Sequence, residues 1–186
     1  MWLIVGLGNP GSEYASTRHN IGAIAVTQWA QELGGLSRNK KLQALTATVR
    51  LGQESAMLAF PQTFMNNSGS SVASLMSFYK VPPEQVVVLH DELDLPFATI
   101  RLKLGGGDNG HNGLRSIRSA IGTGEFHRLR MGIDRPSGAL DPAAYVLRAF
   151  AKSEAGDIED FCERAIDATQ LLISDGLAAA QGRFNQ

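Results

Sequence analysis

Trp2-Leu-Ile-Val-Gly6-Leu-Gly8-Asn9-Pro10-Gly11, followed by Thr17-Arg18-His19-Asn20, is the stretch whose reading decides the fold. The apolar run at its start predicts a buried strand. Gly6, Gly8 and Gly11 then satisfy the G-x-G-x-x-G spacing that, in a dinucleotide-binding unit, sets a pyrophosphate on the N-terminus of the next helix. Pro10 and Gly11 break the chain at that point, and the next helical pattern begins only near Asn20. The helix N-terminus that such a phosphate site needs is therefore out of place. The stretch predicts instead one turn that presents Asn9 at the C-terminal end of a strand, and a second that presents His19 and Asn20 at a helix start. An active-site rim is built in this way.

Outward from there, strand-like runs at Trp2–Val5, Ala44–Leu51, Ser55–Phe60, Val86–His90 and Phe97–Lys103 alternate with helical patterns, which points to an α/β fold. Val72, Leu75, Met76 and Tyr79 recur at helical spacing after Ser68, and Pro82-Pro83 ends that segment. A long amphipathic cover helix is expected from Ile158, Phe161, Cys162, Ala165, Thr169 and Leu172, with Gly176 as its stop and Gln181–Gln186 fraying. A chain of 186 residues is long enough to bury about 70% of its unfolded surface in one core, and a single domain spanning 1–186 is expected. The single cysteine, Cys162, allows no internal disulfide. The N-terminal apolar run ends at Val5, too short for a signal peptide or membrane span, so a cytoplasmic protein is expected. A net charge of −1 does not announce nucleic acid; such a partner would need a local basic patch.

Polar chemistry gathers at the predicted element ends. After one strand come Phe64-Met65-Asn66-Asn67-Ser68-Gly69, in which Asn67 and Ser68 read equally well as helix caps or ligand groups, while Asn66 is less well explained by capping. His90-Asp91-Glu92-Leu93-Asp94 opens from the end of a buried strand, where open α/β sheets bind ligands. A metal reading of His90, Asp91 and Asp94 finds nothing elsewhere to complete it, and Asp91 reads better as the carboxylate that orients a catalytic histidine. Glu92 is expected to be a solvated turn acid. Lys103–Leu114 is dense in glycine, lacks the G-K-[ST] of a nucleotide loop, and leads through His111 and Asn112 into a helix. Phe126–Ile133 alternates basic and apolar residues as a half-exposed strand would, and with Lys103, Arg115 and Arg118 suggests a basic rim.

Together these segments resemble the bacterial-type peptidyl-tRNA hydrolases over nearly the whole chain, from Val5 to Leu177. The resemblance implies a single three-layer α/β/α domain around a mixed, mostly parallel central sheet, acting as a cytoplasmic monomer with no metal and no cofactor. It implies cleavage of the ester between a peptide and the 3′-terminal ribose of tRNA, which recycles tRNA from stalled or aborted translation. His19 would be the general base that activates water, held by Asp91. Asn9, Asn66 and Asn112 would position the peptide backbone and ester, and Tyr14 and Met65 would line the cleft. Gly110, His111 and Gly113 would form its gate, and Lys103 and Arg130 would contact phosphates of the acceptor stem and 3′ end.

Two segments depart from the family pattern. Asp108-Asn109 occupies a gate turn where small residues are usual, placing a negative charge near the expected phosphate path. Ala139 and Asp141 stand where a mobile lid often carries lysines. Two competing functions are weighed. A non-enzymatic RNA-binding relative, like the intron-splicing factors of the same fold, would share these motifs. An esterase acting on small molecules would need a serine or cysteine nucleophile, but no G-x-S-x-G occurs and Cys162 sits on an apolar helix face.

Overall fold

The N-terminal apolar run forms β1 (Trp2–Gly6), the central strand of a seven-stranded sheet. In the computed structural model, which describes residues 1–185, the other strands are β2 (Ser37–Asn39), β3 (Ala44–Leu51), β4 (Glu54–Pro61), β5 (Val86–Glu92), β6 (Ile100–Leu104) and β7 (His127–Gly132). The spatial order is β2-β3-β4-β1-β5-β7-β6, with β4, β1, β5 and β7 mutually parallel and β2, β3 and β6 antiparallel to their neighbours. The helices are α1 (Ile21–Gln31), α2 (Ser68–Tyr79), α3 (Asn112–Ile121), α4 (Pro142–Val146), α5 (Lys152–Ala155), α6 (Ile158–Asp175) and α7 (Leu177–Phe184).

Alternation along the strands assigns the two faces. Ile4, Val87, Leu89 and Leu129 point into a core shared with α1, α6 and α7, while Leu3, Val5, Val86 and Val88 point into a second core under α2 and α3. This is the expected three-layer α/β/α domain. Each fully buried aliphatic residue, such as Val72 or Leu75 of α2, contributes about 1.5–3 kcal/mol.

The glycines of the opening stretch serve close packing. A Cβ on Gly22 would stand 2.0 Å from the Leu89 carbonyl oxygen, and one on Gly6 would stand 2.3 Å from the Gly22 carbonyl oxygen. Helix α1 therefore sits directly on β1 and β5, which brings the turn before it, Arg18–Asn20, to the C-terminal ends of those strands.

Several expectations need correction. Strand β6 starts at Ile100, three residues later than expected, because Pro96–Thr99 turns back on itself, with the Thr99 N–H on the Pro96 carbonyl (3.1 Å). Strand β7 is almost wholly buried instead of half-exposed, because it lies between β5 and β6; Arg128 is 1% exposed. The short strand β2 has too little apolar pattern to be read from sequence. The chain end does not fray up to Asn185. Helix α7 covers the edge of β6, where Asn185 accepts from the Leu102 N–H (2.7 Å) and donates to its carbonyl (2.9 Å), joined there by Gln181 (3.1 Å). Gln186 lies outside the described residues.

Candidate active site

Parallel β1, β4 and β5 end on one edge of the sheet, and Asn9, His19, Asn66, Asp91, His111 and Asn112 meet there around a cleft of about 340 Å³. At its floor, Asp91 is buried at the end of β5 and receives two histidines. His19 Nδ1 lies 3.0 and 2.9 Å from its two carboxylate oxygens, and His111 Nε2 lies 2.8 Å from Oδ1. Burial opposes ionisation of Asp91, but the two rings and their hydrogen bonds outweigh it and hold its pKa far below the usual carboxylate range. Burial likewise opposes charge on His19, yet Asp91 prevails and raises the His19 pKa above its ordinary value.

The hydrogen bonds assign the protons. His111 Nδ1 accepts from the backbone N–H groups of Gly113 (3.1 Å) and Leu114 (3.3 Å), capping α3, so its proton sits on Nε2 and is donated to Asp91. Both nitrogens of His111 are thus occupied. His19 donates through Nδ1, which leaves the lone pair on Nε2 unused, and His19 lines the cleft. His90 Nδ1 donates to the Asp91 carbonyl (2.8 Å), and burial lowers its pKa to about 3, so it stays neutral.

One wall is built of amides. Asn9 is held by a reciprocal clamp, its N–H on Asn20 Oδ1 and its carbonyl accepting from Asn20 Nδ2, both 2.9 Å. Its own Oδ1 accepts from the Met65 N–H (2.7 Å), leaving the Nδ2 donor available. Asn66 and Asn112 also line the cleft, are exposed, and make no side-chain hydrogen bond among the described residues. Asn67 makes no capping bond, and the Ser68 hydroxyl donates back to the Met65 carbonyl (2.7 Å), so of the two readings the cap is not the one seen. The facing wall is apolar and comes from α4 and its end: Pro142, Ala143, Val146 and Leu147. Asp141, one of the two lid departures, caps α4 by accepting from the Ala143 N–H (3.2 Å).

Tyr14 does not line the cleft; its turn, closed by the Thr17 hydroxyl on the Tyr14 carbonyl (2.9 Å), holds the ring edge-on to Phe64 at 6.4 Å. Met65 does line it. Gly113 lies in the first turn of α3, where a Cβ would meet Met65 Sδ at 2.7 Å. Gly110, in the left-handed region at φ 78°, and His111 do stand at the cleft. Asn109 donates to Glu92 Oε2 (2.9 Å) and Asp94 Oδ2 (2.6 Å). Asp108 is balanced by Arg115 at 3.6 Å. Glu92 is not a solvated acid: it is 5% exposed and accepts from Arg130 Nε at 3.0 Å.

Lys103 and Arg130 lie outside the cleft on β6 and β7, where burial and then the charges of Arg130 and Arg128 lower the Lys103 pKa. Arg128 leaves the expected rim, its guanidinium bonded to the carbonyls of Gly107 and Gly124. The His90, Asp91 and Asp94 metal set does not converge, since Asp94 pairs with Arg135 (2.6 Å) and Asn109. His19, Asp91 and His111 do place three potential ligand atoms within 4.8 Å of one another. Their nitrogens already point protons at the carboxylate, an arrangement suited to proton transfer.

A family model described as peptidyl-tRNA hydrolase matches residues 3–186. The chain belongs to the peptidyl-tRNA hydrolase family. It is 50% identical to a peptidyl-tRNA hydrolase of Frankia alni, covering 99% of this chain and 93% of that one, and 52% identical to one of Mycobacteroides abscessus, covering 98% and 94%. The crystal structure of the Acinetobacter baumannii peptidyl-tRNA hydrolase superposes with a TM-score of 0.90 at 40% identity, covering 100% of this chain and 94% of that chain. Membership of a hydrolase family does not favour the non-enzymatic alternative. Among the described residues, no helix is long and apolar enough to cross a membrane. Within this peptidyl-tRNA hydrolase fold, the features missed from sequence are the His111–Asp91 bond, the Asn9–Asn20 clamp and the Glu92–Arg130 pair. Only the clamp had a local signal, an asparagine beside each turn.

Proposed function

We propose that the cleft hydrolyses the ester of peptidyl-tRNA by general-base catalysis, a reading carried by the unused His19 Nε2 facing a wall of amides. His19 Nε2 takes a proton from water as the water oxygen attacks the ester carbonyl carbon. The resulting imidazolium is stabilised by Asp91, and the developing oxyanion by the pre-positioned Nδ2 of Asn9. Collapse of the tetrahedral intermediate breaks the bond to the ribose oxygen, which takes the proton back from His19 and leaves free tRNA and a peptide acid. Asn66 and Asn112 hold the peptide backbone and ester, and amides suit a substrate whose side chains vary. Met65 packs beneath them, and His111 keeps Asp91 oriented.

The acceptor stem reaches Lys103 and Arg130, whose crowded cations gain from a phosphate. The family resemblance implies a monomer at work in the cytoplasm, where its substrate arises. The test is turnover of N-acetyl-aminoacyl-tRNA with EDTA present. His19→Ala should lose roughly 100- to 10,000-fold of rate with tRNA affinity largely retained. Near-normal turnover by that variant refutes the assignment.

A further inference from the structure

The cleft adjoins a second hollow at Asn9–Pro10 and Asn66–Asn67. This hollow, of about 390 Å³, is lined by Gln43, Gln62, Thr63, Asn67, Ser70 and Ser116, along with Pro10 and Phe64. Through Pro10, Gln43 and Gln62 it continues into a third, of about 330 Å³, which ends at Arg38, Asn39 and Lys40. The topology makes one trough of them. Strand β4 ends at Pro61, β3 begins at Ala44 and β2 ends at Asn39, all on the sheet edge where β1 ends.

We propose that this trough is the subsite for the peptidyl moiety, with Arg38 and Lys40 favouring an acidic side chain near its far end; this rests on the reading that the cleft cleaves peptidyl-tRNA. Two observations choose peptide over RNA. A single-stranded nucleic-acid groove carries cations along the backbone path, whereas the near part of this trough is lined by neutral amides and hydroxyls that match a main chain without reading its side chains. The cations assigned to tRNA also lie on β6 and β7, at the opposite end of the strand order.

Arg38 and Lys40 are exposed and make no ion pair among the described residues, so their charge is available. Three strand spacings separate β1 from β2, about 14 Å, which about four extended residues span. The charge preference therefore falls at the fourth and fifth residues before the ester.

The experiment compares N-acetyl-aminoacyl-tRNA with two hexapeptidyl-tRNAs, alike except for paired Asp or paired Lys at those positions. The wild-type protein should show kcat/KM about 2- to 5-fold higher for the Asp substrate, the range exposed ion pairs provide. Arg38→Glu combined with Lys40→Glu should reverse that preference, while the single-residue substrate, too short to reach β2, is cleaved at an unchanged rate. Equal rates for the two hexapeptides in the wild-type protein overturn the proposal. Weakened binding of deacylated tRNA by the double variant also overturns it, because RNA would then occupy the trough. Failure of the wild-type protein on N-acetyl-aminoacyl-tRNA sinks instead the hydrolase reading beneath it.

Discussion

His19 and His111 share one carboxylate, and the bonds they make elsewhere give them opposite roles: one keeps a free lone pair, the other has none. The shifted pKa values set the pH dependence. Asp91 is depressed, so its stabilising contribution is complete above about pH 4 and is lost as pH falls through its folded value. His19 is raised, so its charged form stabilises the fold below about pH 6.5, and that contribution fades as pH rises through the raised value. Catalysis needs the neutral ring. Turnover should therefore climb with pH along a limb above the ordinary histidine value. In Asp91→Asn the burial of His19 is no longer offset, so the limb should move to lower pH. Its plateau should fall by less than the loss seen for His19→Ala, since an amide still holds the ring. A pH–rate profile of both proteins checks this, and an unmoved limb would remove Asp91 from the assignment.

Helices serve the site through their ends. Helix α1 can lie flush on β1 and β5 because Gly6 and Gly22 carry no Cβ, and that contact places His19 above Asp91. Helix α3 begins at His111, which joins a helix cap to the catalytic carboxylate. His111→Ala should lose the cap, worth about 0.5–2 kcal/mol, as well as the bond to Asp91, and should lower both melting temperature and turnover. His111→Asn restores a good capping residue but not the bond, so it should recover only part of the lost melting temperature while turnover stays low. Thermal melts beside kinetics separate the two roles. Helix α4 shows the same economy of ends: Asp141, read from sequence as a missing lid charge, is its cap. A lysine meant to restore tRNA contact therefore belongs at position 139.

Over the whole molecule, the net charge is −1, and a few cations pair locally: Arg130 with Glu92, Arg135 with Asp94, Arg115 with Asp108. Affinity for tRNA then comes from a local patch, Lys103 on β6 beside Arg130 on β7, and not from net charge. Each lost phosphate contact should flatten the logarithmic dependence of affinity on salt by about 0.7 to 0.9. Lys103→Ala should show that change, and Ala139→Lys the reverse, with turnover at saturating substrate little altered in either. Titrations of deacylated tRNA at several salt concentrations measure it. An unchanged slope for Ala139→Lys would place the 135–145 segment away from the RNA.

Strand and helix types, the rejection of a dinucleotide site, and the candidacy of His19, Asp91 and the three asparagines were all readable in the chain. Element types and the rejected phosphate site rest on local chemistry, Pro10 ending a pattern and glycine spacing; Asn9, His19, Asn66 and Asp91 stand out as polar residues at element ends, while the candidacy of Asn112 and the role of each came from the family resemblance. The roles of His111, Asn20 and Glu92 were decided only in three dimensions. Their partners lie 20, 11 and 38 residues away in sequence, and a hydrogen bond at that separation leaves no periodic trace. Burial of β7 depended on its place between β5 and β6, and order at the chain end depended on Asn185 meeting Leu102 across 83 residues. Local sequence encodes backbone preference and polarity; which polar groups must satisfy one another is settled when the sheet order brings them together away from water.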